Sequence, residues 1–179
     1  MEDSSNNRDE AVLDVLNRRA ETLAKPIEQV ESREEWTSLL AFIMLGKRYA
    51  VDLGQVVSVT RILEITAIPF APRHIPGIIR RRGESIDLVN LSYFFNSDRT
   101  GISDADFAVI VQARGKRFAL QVEDIVGANV VKIADLLLPQ DNFDPAQLPY
   151  VSRVMLDGLV VLDLDALIQA KGFAAEKSV

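Results

Sequence analysis

The sequence predicts a mainly β protein in which one small barrel of about five strands occurs twice, preceded by a helical arm. Short apolar segments alternate with turn residues, not with long helical stretches, and one hairpin with its neighbouring strands recurs farther along the chain. The opening residues differ in kind. Residues 1–38 hold 5 basic and 10 acidic side chains, a balance of −5, whereas residues 39–179 hold 15 and 16, a balance of −1.

Asn7 or Asp9 can cap a helix in the arm, acidic residues fill its first turn, and Pro26 forbids its continuation. Val12, Leu16, Ala20 and Leu23 fall on one face, a thin apolar stripe that suits loose packing on the body or docking to a partner. Residues 25–35 read as a polar linker. From Leu39 the pattern changes to strands. LLAFIML and RYAVDL form a hairpin, with the turn expected at Gly46-Lys47. Further strands are expected at Ile62–Ile68, Ile78–Arg81, Ser85–Asn90, Phe107–Ala113, Arg117–Val122, Val126–Ile133, Tyr150–Leu156 and Leu159–Leu164, each bounded by Pro or Gly signals. Short helical turns are expected at Ser92–Asn96 and Leu136–Leu138, a terminal helix near Asp165–Lys171, and a frayed tail after it.

The repeat sets the architecture. LGKRYAVDL (Leu45–Leu53) matches RGKRFALQV (Arg114–Val122) at a shift of 69 residues, and Val56-Val57 matches Ile125-Val126 at the same shift. VNLSYFF (Val89–Phe95) then matches LDLDALI (Leu162–Ile168) at a shift of 73, the extra residues fitting the Leu138–Pro149 loop. Copies of roughly 60–65 residues are marginal alone, so the two are expected to share an interface.

Composition excludes several classes of function. With 179 residues and no cysteine, the chain can bury a core without disulfides, and it has no zinc–thiolate or thiol chemistry. Its single histidine, His74, sits in PRHIPG and cannot supply a Ser-His-Asp site with a nearby acid. Neither phosphate-binding glycine motif is present. The pairs Asp104/Asp106, Asp141/Asp144 and Asp163/Asp165 read as solvated loop residues or helix caps, and the expectation is no catalysis, cofactor or metal. A hydrolase that uses such a pair would lose its activity on Asp163→Asn. No apolar run approaches the ~20 residues of a membrane-spanning helix, and MEDSSNNRDE is too polar for a signal peptide, so cytoplasmic residence is expected. The net charge of −6 opposes nucleic-acid binding, although a basic patch at Arg80–Arg82 keeps that alternative in view.

That patch, Arg80-Arg81-Arg82-Gly83-Glu84, should form a hairpin tip. Three guanidiniums on alternating sides of one strand cannot all be buried, because each desolvated charge needs a partner. Arg80 and Arg81 suit either a charged edge that deters aggregation or an anion-binding fork.

Here the residues resemble a family. Tyr49-Ala50-Val51-Asp52-Leu53, Val56–Val59, Thr66-Ala67-Ile68-Pro69, Pro72–Ile79, Arg82-Gly83 and Val89-Asn90-Leu91 keep the order and spacing of CheW-like domains over about residues 38–170. The resemblance implies two intertwined SH3-like five-stranded barrels, a first at about 45–100 and a second at about 107–165 with strand exchange. Residues 1–37 then form a helix and linker, and 171–179 a tail. It implies a non-catalytic adaptor in chemotaxis, coupling the cytoplasmic tip of methyl-accepting chemoreceptors to the regulatory domain of a CheA-type histidine kinase, with no nucleic acid bound and no membrane insertion. Val56, Gly77, Arg82 and Gly83 match receptor-binding positions, and Ile75 and Ile78 are candidates for the kinase surface. The chain departs from the family at Arg80-Arg81, where Asn-Leu is usual, and at Asp87, Asn90 and Ser58, where Pro, Asp and an acid are usual. Those departures add positive charge to the hairpin and leave open a divergent adaptor of another chemosensory pathway, serving pili or gliding.

Overall fold

Strand β1 (Trp36–Met44) and strand β2 (Lys47–Asp52) meet at a two-residue turn, Leu45-Gly46, one residue earlier than expected. Both turn residues have positive φ, 55° and 70°, the signature of the type I′ turn whose twist matches that of a right-twisted hairpin. The computed structural model describes residues 35–95, 106–140, 143–170 and 173. The helix expected between Asn7 and Pro26 lies outside them, as do Asp104 and Asp141.

Eight further strands follow: β3 (Val56–Arg61), β4 (Gly77–Arg81), β5 (Glu84–Val89), β6 (Phe107–Ala113), β7 (Lys116–Val122), β8 (Asp124–Lys132), β9 (Val151–Val154) and β10 (Val160–Leu162). The terminal helix α1 (Leu164–Gln169) is capped by Asp163, whose Oδ1 accepts from the Ala166 amide at 2.9 Å. Two expectations shift. The segment Ile62–Ile68 is no strand but an irregular loop with one bridge, Thr66 to Ile78, and the strand lies earlier, in the β-branched run of β3. The short turn near Leu136 sits at Ile133–Asp135, and Leu137 bridges to Val154.

The strands form two five-stranded sheets, ordered β8-β1-β2-β10-β9 and β3-β6-β7-β5-β4. Each sheet takes its central hairpin from the other half of the sequence. The repeat is kept residue for residue. β2 pairs parallel with β10 through Ala50 and Val161, and β7 pairs parallel with β5 through Ala119 and Leu88, which are the same positions at shifts of 69 and 73. A bulge after Val56 in the β3–β6 pair recurs after Ile125 in the β8–β1 pair. It turns Val57 and Val126 outward, at 47% and 51% exposure. Even the ion pairs repeat: Arg117–Glu84 at 2.6 Å and Arg48–Asp157 at 3.1 Å occupy equivalent places.

Alternation along each strand produces three cores. Leu39, Ala41, Ala50, Leu159 and Val161 fill one barrel. Ile79, Ile86, Leu88, Ala108, Ile110 and Ala119 fill the other. The opposite faces of the central hairpins, with Phe42, Tyr49, Val109, Phe118 and Leu120 among them, meet in one large core between the sheets. Of the tail expected to fray, Phe173 is described and is buried there, 4.9 Å from the Phe118 ring, and the ring of His74 packs 5.0 Å from Phe94. Among the described residues no helix is long and apolar enough to cross a membrane.

Candidate partner-binding surface

The arginine hairpin is built by β4 and β5, which pair from Gly77–Leu88 to Arg81–Glu84 and turn at Arg82-Gly83. Arg82 and Gly83 have φ of 50° and 84°, another type I′ turn. A non-glycine residue in this left-handed region costs about 1 kcal/mol or more, so the first turn position holds an arginine against backbone preference. Arg82 is exposed and makes no ion pair among the described residues.

Gly77 opens β4 for a steric reason. A Cβ there would collide with the carbonyl oxygen of Thr66 and lie 2.8 Å from Ile65 Cγ2. The close approach lets the 62–76 loop lie on the strand, with Thr66 and Ile78 exchanging both backbone hydrogen bonds at 2.9 Å. Gly77 therefore shapes the surface and offers none of its own. Of the two kinase-surface candidates, Ile75 is 4% exposed and belongs to the core, in a turn closed by its amide donating to the Pro72 carbonyl at 2.8 Å. Ile78 is half-buried opposite Asp87. Val56 is half-buried against the core between the sheets.

The bulge after Val56 brings a residue that motif reasoning passed over. Val57 faces outward and, with Ser58, forms one wall of a cleft of about 290 Å³. Arg81 and Arg82 line the opposite side, Glu84 and Arg117 another, and Ile86 and Ile110 the apolar floor. The cleft therefore gathers Arg82 with the residue next to Val56 and leaves Gly77 and Ile75 outside. Three guanidiniums face one carboxylate. Arg117 Nη1 donates to Glu84 Oε2 at 2.6 Å, and Ser58 contributes no charge. Arg117 could have been found in the sequence as the second-copy partner of Arg48, because both occupy the Gly-Lys-Arg of the repeat.

Three of the carboxylates singled out as possible acid–base pairs have structural partners. Asp163 caps α1, Asp165 lies 3.6 Å from the Arg114 guanidinium, and Asp144 accepts from the Ala146 amide at 2.9 Å. Asp163 and Asp165 do line a hollow of about 500 Å³, but Asp52, also on its wall, is likewise held by the Gly54 amide at 2.7 Å. Among the described residues no group of His, Asp and Glu is placed to hold a metal.

A family model described as the CheW-like domain matches residues 38–172. The chain belongs to the CheW-like domain family. It is 23% identical over 145 residues to the chemotaxis protein CheW of Treponema pallidum (strain Nichols), covering 77% of this chain and 85% of that one. The scaffolding protein TtCheW of Thermoanaerobacter tengcongensis, solved by crystallography, aligns with a TM-score of 0.66 at 23% identity, over 77% of this chain and 96% of that one. The matched region thus spans both sheets except the first two residues of β1, and every core residue except Phe173.

Proposed function

We propose that the chain is a non-catalytic adaptor that couples the cytoplasmic tip of chemoreceptors to the regulatory domain of a CheA-type histidine kinase, and that it works in the cytoplasm. Membership of the CheW-like family over residues 38–172 carries the reading. The relatives are named a chemotaxis protein and a scaffolding protein, in keeping with a molecule whose chemistry is contact. Receptor binding is assigned to the arginine hairpin, with Arg82 and Gly83 at its tip, Val56 and Val57 beside it, and Gly77 holding the loop behind it. Kinase binding is assigned to the half-buried Ile78, since the buried Ile75 can act only by supporting it.

Arg82 is the anchor in this reading. Its exposed guanidinium stands at the hairpin tip beside Gly83, and among the described residues no ion pair engages it. The test is co-purification of the full chain with a CheA-type regulatory domain and with a receptor cytoplasmic fragment. Arg82→Ala should weaken receptor capture at least about tenfold, the scale of one charge-assisted hydrogen-bonded pair. A chain that captures neither protein would sink the reading. Steep salt dependence of binding to a DNA duplex or single strand would replace it with a nucleic-acid function centred on Arg80–Arg82.

The positive charge added at Arg80 and Arg81, and the neutral Ser58, favour a divergent version of this role in a chemosensory pathway for pili or gliding. Competition between receptors of the two kinds of pathway for the purified chain would decide it.

A further inference from the structure

Arg81 is a guanidinium to which the adaptor reading gives no contact of its own. Side chains alternate along β4, so Gly77, Ile79 and Arg81 share the face turned into the barrel, opposite Leu88, Ile86 and Glu84 on β5. Ile79 is core, and Arg81 lies one step farther out, at the barrel mouth. Among the described residues its buried Nε meets no acceptor and no ion pair holds its charge. A buried donor left unpaired costs about 1–3 kcal/mol, and more on a charged group. The nearest acids do not relieve it. Glu84 is committed to Arg117, and Glu64, on the wall of the adjoining groove of about 250 Å³, forms no ion pair with Arg80 or Arg81.

We propose that Arg81 receives the carboxylate of an acidic side chain presented by a protein partner, which enters the cleft between Val57 and Ile86; this rests on the adaptor reading. With Nε buried, the Nη edge of the guanidinium is the one an incoming group can reach from the cleft, and its two N–H donors give parallel bonds that a planar carboxylate accepts together. Ser58 adds no competing charge from the facing strand. Val57, Ile86 and Ile110 give the cleft an apolar side, which suits the methylenes of a glutamate stem. A polyanion would need an extended basic track, and the chain as a whole carries −6.

The test is NMR of the nitrogen-15-labelled full chain, following the arginine Nε–H resonances, with the Arg81 signal assigned from Arg81→Lys. A CheA-type regulatory domain, a receptor cytoplasmic fragment and inorganic phosphate are added separately. The Arg81 signal should move with one of the two proteins and not with millimolar phosphate. Arg81→Gln and Arg81→Lys, the second keeping the charge without the fork, should each weaken that complex at least about tenfold. Replacing one Glu of that partner by Gln should abolish the shift. If the wild-type chain binds but the Arg81 signal stays in place, or both variants bind as tightly as wild type, this proposal falls and the adaptor reading stands. An equal shift with phosphate would make the cleft a free-anion site and overturn it. A wild-type chain that binds neither protein overturns both.

Discussion

Tyr49 shows how far burial can isolate one polar atom. Its ring is fully buried and stacks on Phe95 at 5.7 Å, but among the described residues its hydroxyl has no hydrogen-bond partner. Desolvation first, and the Asp144 charge second, push its pKa up from 10.0 to about 12. The folded state therefore holds this proton more tightly than the unfolded one. Stability from this group is complete below about pH 10 and is lost as pH rises towards about 12. Tyr49→Phe should leave stability in urea at neutral pH unchanged or raise it by about 1 kcal/mol, because an unpaired hydroxyl is removed and the ring stays. The variant should also lose less stability than wild type above pH 10, checked by chemical denaturation across that range. Gly77 is the opposite case, since it makes room for a backbone. Gly77→Ala drives a methyl into the Thr66 carbonyl, and overpacking of this kind costs about 1–3 kcal/mol. The expected signs are a lower thermal midpoint and faster amide exchange at Thr66 and Ile78.

The hairpins are the elements on which folding and binding make opposing demands. Three of them turn through paired positive-φ residues, at Leu45-Gly46, Arg82-Gly83 and Arg114-Gly115. Arg82→Asn supplies the residue that a type I′ turn prefers, so it should raise stability by about 0.5–1 kcal/mol while weakening receptor capture. Calorimetry and a binding titration on the same sample would measure both, and a variant that loses stability would show that the turn does not strain Arg82. The repeated ion pairs are a weaker element. Arg48 with Asp157 and Arg117 with Glu84 are solvent-exposed, so Arg48→Ala should cost less than about 1 kcal/mol in urea denaturation. Much of this level was legible in the sequence. The Gly-Lys-Arg repeat located equivalent hairpins, and the shift from 69 to 73 is reproduced in the parallel pairings of Ala50 and Ala119. The loop at 62–68 was not legible, because its isoleucines mimic a strand, and only the partner strand, whose pairing with β3 ends at Phe107–Arg61, shows where β3 stops. The inward face of Arg81 follows from alternation with Ile79, but its orphaned Nε depends on the cleft lining, which comes also from β3, β5, β6 and β7.

At the scale of the whole molecule, the two halves of the chain are not the two barrels. The hairpin β1–β2 completes a sheet made of β8, β9 and β10, and β6–β7 completes the sheet made of β3, β4 and β5. No local pattern in the sequence announces this exchange, since it rests on β2 lying beside β10, more than a hundred residues away. Fragments 35–95 and 106–179 should each fail to fold alone, lacking the central strands of one sheet, and should regain β structure when mixed, as circular dichroism would show. The intact chain should unfold in one cooperative step.

The crossed hairpins also bear on how a force travels. Two barrels joined by a tether could swivel, and a push on one would be lost as rotation at the joint. Here the chain passes from one sheet to the other and back, and the two sheets share one apolar core, so bending between them would have to open that core. A displacement applied at the arginine tip should reach the far barrel undamped, as through a solid strut.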